Sequence, residues 1–240
     1  MRKGVMKQIL LLTDGCSNRG EDPVAMAALA KKQGITVNVI GIVEKGRLAE
    51  RAVLEIEQIA EAGGGVYKIV YASELAQTVQ MVTRQAMTQT IQGVVNKELK
   101  NILETEDSLE TLPPEKRMKV MEVVDELSET LDLDICIVVD TSASMTSKIE
   151  KVKEALIDLS LSLQARMGDY RFCLHVFPGK RTDVEEIVSW TNETKKIENW
   201  FQKLVPRGLT PTGPALKHAF LQFSSLKRWG DDEYMEEQWM

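Results

Sequence analysis

Asp140, Ser142 and Ser144 occupy alternate positions in Asp140-Thr141-Ser142-Ala143-Ser144. The apolar run Ile135-Cys136-Ile137-Val138-Val139 precedes them, and a long amphipathic segment follows. One carboxylate and two hydroxyls on a strand-to-helix turn offer an oxygen site to a hard cation such as Mg²⁺. Zinc would favour Cys and His instead. Two other loops carry oxygen donors at element ends: Thr13-Asp14-Gly15, and Thr210-Pro211-Thr212. Each piece alone has a plainer reading. Ser142, Ser144 and Thr210 could cap helices, and Asp14-Gly15 could be a turn.

The elements around these residues read as alternating strands and helices. Gln8 to Thr13 is an apolar run that ends at Asp14, the pattern of a buried parallel strand. Asp22-Pro23 is an N-cap with a first-turn proline, and a helix over 24–32 stops at Gly34. A strand over 35–43, a helix over 48–62 and a strand over 66–71 follow, with Gly63-Gly64-Gly65 closing the second helix. A long helical pattern then runs from Ser73 toward Leu103. Pro113-Pro114 breaks the chain before another helix, 115–130. The strand ending at Asp140 leads into a helix from about Lys148 to Arg166. Strands over 170–177 and 184–190 flank the turn at Pro178-Gly179, a helix is expected over 195–204, and the threonine loop opens into one near Ala215. This alternation predicts an α/β fold with a mostly parallel sheet. Ligands in such sheets bind beyond the strand C-termini at the switch point. If the strands ending at Asp14 and Asp140 are neighbours, both carboxylates face one crevice.

Composition narrows the functional classes. The chain has 240 residues, 43% hydrophobic and 28% charged, which is ordinary for a globular protein. Its net charge of −6 argues against non-specific nucleic-acid binding. No run approaches the ~18 apolar residues of a membrane span, and Asp14 cuts short any signal-peptide core. Three separated cysteines, Cys16, Cys136 and Cys173, fit reduced thiols and a cytoplasmic protein. Cys136 and Cys173 read as small core residues.

The residues quoted resemble those of von Willebrand factor A (VWA) domains. Asp140-x-Ser142-x-Ser144 resembles the family's first metal motif, and Gly208-Leu209-Thr210-Pro211-Thr212-Gly213 its threonine loop. Ile9-Leu10-Leu11-Leu12-Thr13-Asp14-Gly15 resembles the strand and aspartate that complete the site. The order departs from the family, because the Thr-Asp-Gly half comes first. A circular permutation accounts for this: 1–94 would be the second half, 95–131 a helical linker joining the old termini, 132–228 the first half, and 229–240 an acidic tail. The implied fold is a doubly wound, mostly parallel six-stranded sheet with one antiparallel edge strand and helices on both faces. The order and tail also resemble VWA proteins of spore-forming bacilli, which implies a place in sporulation.

The resemblance implies a metal-ion-dependent adhesion site in which Asp140, Ser142, Ser144, Thr210 and Asp14 surround one Mg²⁺ or Mn²⁺. Thr212 would support Thr210 from behind. The helix expected just after Ser144 would add its positive N-terminus. Neutral hydroxyls leave the metal under-neutralised, so a partner protein's Asp or Glu side chain can complete its coordination. The expected function is a metal-dependent protein-interaction module rather than an enzyme. The alternative is a Mg²⁺-dependent phosphoryl-transfer enzyme or hydrolase with Asp140 at the reaction centre. Self-association through the acidic tail, or by swapping halves between two chains, is a further expectation. His175 and His218 lack Cys or Asp partners at zinc spacing and read as structural. Cys16 shows no neighbouring base.

Overall fold

The computed structural model describes residues 4–43, 48–103, 112–193 and 204–226. Six strands form one sheet: β1 (Val5–Thr13), β2 (Ile35–Val43), β3 (Gly64–Tyr71), β4 (Asp132–Asp140), β5 (Tyr170–Phe177) and β6 (Glu185–Thr191). Their order across the sheet is β3-β2-β1-β4-β5-β6. All pairings are parallel except that of β5 with β6, at the edge. The expected doubly wound sheet with one antiparallel edge strand is what forms.

The central strands are apolar along their length because both faces are covered. Every residue of β4 is buried. Ile9, Leu11, Cys136 and Val138 face one layer of helices, built from α1 (Pro23–Lys32), α2 (Glu50–Ala62) and α6 (Thr212–Gln222). Leu10, Leu12, Ile135, Ile137 and Val139 face the other, built from α3 (Leu75–Leu103), α4 (Pro114–Thr130) and α5 (Ile149–Gln164). Each fully buried aliphatic side chain contributes about 1.5–3 kcal/mol. The seam between β1 and β4 is therefore a strongly held part of the molecule.

The helix expected from about Lys148 begins at Ile149, and a short 3₁₀ turn, Ala143–Met145, lies between it and Ser142. The long helical pattern expected from Ser73 toward Leu103 forms α3, which runs unbroken through residues 94 and 95. Val124 of α4 is fully buried against the core, so α4 packs as part of the domain. The helix expected over 195–204 falls almost wholly outside the described residues, and the acidic tail entirely so. Among the described residues no helix is long and apolar enough to cross a membrane.

β1 lies beside β4, with Leu12 opposite Val139. From β1 the chain winds outward through β2 and β3; from β4 it winds the other way through β5. The switch point thus falls between the strands that end in Asp14 and Asp140. The two halves of one chain pair with each other.

Candidate metal centre

Asp140 ends β4 and is fully buried. Its Oδ2 accepts the Thr13 hydroxyl at 2.7 Å, and its Oδ1 accepts the Ser142 backbone N–H at 2.7 Å. Burial pushes the carboxyl up to about 6; the hydrogen bonds from Thr13 and Ser142 oppose this, and the charge of Asp14 adds to it.

Ser142 is buried and Ser144 exposed, with their hydroxyls 3.0 Å apart in a hydrogen bond. Ser144 also donates to Asp14 Oδ1 at 2.8 Å. Neither serine is consumed as a helix cap, since no side-chain cap bond forms at the 3₁₀ turn or at α5. Asp14, Ser142 and Ser144 are therefore one hydrogen-bonded oxygen cluster, with Asp140 behind it.

Lys148 joins this cluster, and sequence reasoning missed it. Its ammonium donates to Asp14 Oδ2 at 2.5 Å and to the Ser144 carbonyl at 2.9 Å. The side chains of Lys148 and Asp14 are 11% and 3% exposed, so the pair is shielded from water. The available signal was a lysine four residues after Ser144, where the chain turns into α5. Nothing in the local sequence separates it from a surface lysine.

The threonine loop is tied to both other loops through its backbone. Arg207 donates its N–H to the Thr141 carbonyl at 2.6 Å. Thr210 donates its N–H to Asn18 Oδ1 at 2.9 Å, and Asn18 returns an N–H to the Thr210 carbonyl at 3.1 Å. Asn18 is the second residue that sequence reasoning missed. Thr210 is buried beside these contacts. Thr212 is buried at the start of α6, and its hydroxyl has no hydrogen-bond partner among the described residues.

Glycine makes the docking of these loops possible. A Cβ on Gly213 would stand 1.8 Å from the Glu21 carbonyl oxygen, so no side chain fits there. Gly20 has φ +85°, and a Cβ on it would meet Pro214 at 2.2 Å. The loop after β1 and the start of α6 thus touch backbone to backbone.

A groove of about 360 Å³ adjoins the threonine loop. Arg19, Lys180, Arg181 and Arg207 line it, with Asp183 the one acidic lining residue. Arg19 pairs with Asp183 at 3.2 Å. The groove is thus basic in a chain that is acidic overall.

The histidines lie elsewhere. His175 on β5 and His218 on α6 have ring centroids 4.9 Å apart, on the sheet face that holds Cys136 and Cys173. The expectation that they lack cysteine partners is therefore corrected. Strand register, which sequence spacing does not reveal, sets Cys173 opposite Cys136. Cys16 is partly buried; burial first and the Glu55 charge second raise its thiol pKa, opposite to what activates a nucleophile.

Two separate stretches, 1–85 and 135–231, match sequence profiles described as von Willebrand factor type A domain. Protein YabS of Bacillus subtilis (strain 168) is 58% identical over 227 residues, covering 95% of this chain and 93% of that one. The chain belongs to the von Willebrand factor type A family. A crystal structure of a protein from Alicyclobacillus acidocaldarius subsp. acidocaldarius DSM 446 superposes with a TM-score of 0.84, at 43% identity, covering 92% of this chain and 94% of that one. The two matched stretches leave residues 86–134, with the end of α3 and all of α4, between them, the order of a circularly permuted VWA domain.

Proposed function

We propose that this protein is a divalent-metal-dependent interaction module. Asp140, Ser142, Ser144, Thr210 and Asp14 hold one Mg²⁺ or Mn²⁺, and an Asp or Glu of a partner protein completes its coordination. The observation that carries the reading is the spacing of the oxygen donors. Ser142 Oγ, Ser144 Oγ and Asp14 Oδ1 succeed one another at 3.0 and 2.8 Å. Adjacent ligands of an octahedral Mg²⁺ with bonds of about 2.1 Å lie about 3.0 Å apart. The cluster already has the edge lengths that the ion needs.

Charge supports an acidic partner. Two carboxylates, the Lys148 ammonium and a divalent ion leave one net positive charge in a shielded site. An incoming carboxylate would neutralise it. The basic groove beside the threonine loop would receive further acidic groups of the same segment. Metal and groove together select a partner rich in Asp and Glu.

Asp140 suits a ligand better than a nucleophile. It is fully buried, and each of its oxygens accepts a hydrogen bond. A phosphoryl acceptor must reach its substrate, and this carboxylate is covered. The two histidines stand with the buried cysteines rather than with this cluster.

Thermal unfolding tests the proposal. Mg²⁺ or Mn²⁺ at millimolar concentration should raise Tm over EDTA in wild type and leave Asp140→Ala unmoved, because binding to the folded state alone stabilises it. No metal-dependent shift in wild type would sink the reading.

A further inference from the structure

The face of the sheet under α6 carries a second cluster that the adhesion site does not use. β4 and β5 run parallel with Cys136 directly opposite Cys173. Both thiols are free and buried. His175 lies two residues beyond Cys173 on the same strand, so its side chain points to the same face. Donor atoms of Cys136, Cys173 and His175 lie within 4.8 Å of one another. Among the described residues this is the one group of His, Cys, Asp and Glu whose donors converge in this way.

His175 is 0% exposed, and neither ring nitrogen has a hydrogen-bond partner among the described residues. His218 Nδ1, from α6 above, is also buried without one. A buried polar group left without a partner is destabilising. Two imidazoles and two thiols thus form a polar cluster inside an otherwise apolar layer. A metal ion between them would engage both thiols and one nitrogen of each imidazole.

We propose that Cys136, Cys173, His175 and His218 form a second metal site, which holds Zn²⁺ in tetrahedral coordination between the sheet and α6. Thiolate and imidazole suit zinc, whereas the oxygen cluster does not. Binding converts two thiols to thiolates and releases two protons to solvent; both imidazoles stay neutral. The resulting complex has no net charge, which suits its apolar surroundings among Phe177, Phe220 and Phe223. Zinc bonds of about 2.3 Å to sulfur and 2.0 Å to nitrogen set donors about 3.3–3.8 Å apart. Donors of Cys136, Cys173 and His175, now within 4.8 Å, would contract by about 1–1.5 Å to close, and His218, which stands outside that group of three, would move in from α6 to complete it. Half-buried His218 gives the ion its route to solvent, since the other three donors are covered. The zinc would fasten α6, and with it the threonine loop, to the centre of the sheet.

Cobalt distinguishes this site from the oxygen cluster. The full chain, unfolded and refolded with Co²⁺ under reducing conditions, should bind one thiolate-ligated equivalent, giving sulfur-to-cobalt charge-transfer absorption and intense visible bands. An oxygen-only site gives neither. Cys173→Ser should abolish the charge-transfer band, and Asp140→Ala should leave it intact. His218→Ala, a change at a half-exposed position, should keep the band but weaken Zn²⁺ binding at least tenfold in chelator competition. No charge-transfer band in refolded wild type would overturn the proposal. So would a band that survives Cys173→Ser, unchanged Zn²⁺ affinity in His218→Ala, or a Cys136–Cys173 disulfide in the reduced preparation. Failure here leaves the Mg²⁺ response of Asp140 untouched, and the converse also holds.

Discussion

The Lys148 ammonium lies 2.5 Å from Asp14 Oδ2, joining residues 134 apart in sequence. The lysine supplies part of the positive charge that the oxygen cluster needs, and it competes with any metal for Asp14. Lys148→Met should therefore have opposite effects with and without metal. Without metal, the buried Asp14 loses its partner, and stability should fall by about 3–5 kcal/mol. With Mg²⁺, removing a nearby positive charge should tighten binding about 5- to 150-fold, from about 1–3 kcal/mol of relieved repulsion. Thermal unfolding with EDTA and with a Mg²⁺ titration reads both effects. A variant with a lower Tm and an unchanged metal response would mean that Lys148 is structural only.

Asp140 makes the metal-free protein sensitive to pH. Its carboxyl is raised from 3.8 in the unfolded chain to about 6 in the fold, chiefly by burial. The folded state thus holds the proton more tightly. The stabilisation is fully present below pH 4 and lost as pH rises through about 6, amounting to about 3 kcal/mol. Asp140→Asn should remove that slope and be more stable than wild type above pH 6 in EDTA. Divalent metal binding needs the ionised form, so wild-type affinity should fall about tenfold per pH unit below 6. Denaturant unfolding and calorimetric titration at pH 5, 6 and 7.5 check both trends.

The threonine loop can be tested in two separable ways. Thr210→Ala removes one hydroxyl and should weaken Mg²⁺ binding about tenfold, with a stability change near 1 kcal/mol. Gly213→Val forces a side chain onto the Glu21 carbonyl. It should cost about 1–3 kcal/mol or more and disturb the metal site through the loop. Metal affinity unchanged in both variants would place Thr210 outside the coordination sphere.

The basic groove predicts salt-sensitive capture of acidic segments. A glutamate-rich peptide should bind the Mg²⁺-loaded protein more tightly than the EDTA-treated one. Lys180→Glu with Arg181→Glu should weaken that binding at least tenfold while leaving Mg²⁺ affinity unchanged. Fluorescence anisotropy at low and physiological salt provides the measurement. Equal binding with and without metal would separate the groove from the oxygen cluster.

The backbone order of this protein was legible because its strands are apolar runs that stop at Asp14 and Asp140, and its helices carry clear stops. The central pairing of β1 with β4 followed from the swapped order of Thr13-Asp14-Gly15 and Asp140-x-Ser142-x-Ser144. What stayed hidden depends on register and loop closure. Lys148 and Asn18 act through partners 134 and 192 residues away, and neither shows a local pattern. Cys136 and His175 meet only because β4 and β5 align residue by residue. Apolar periodicity makes a buried cysteine look like any other small core residue. The 3₁₀ turn after Ser142 was also invisible, because three residues carry no periodicity of their own.

The hydrogen bond from Thr13 to Asp140 spans 127 residues of chain. In a growing polypeptide β1, β2 and β3 emerge well before β4. At about 5–20 residues per second, β1 waits about 6–25 seconds for its inner neighbour. During that time the strand destined for the middle of the sheet is an open edge, rich in Ile and Leu, able to pair with any other nascent chain. The swapped order thus moves the chief hazard of synthesis from the rim of the sheet to its centre.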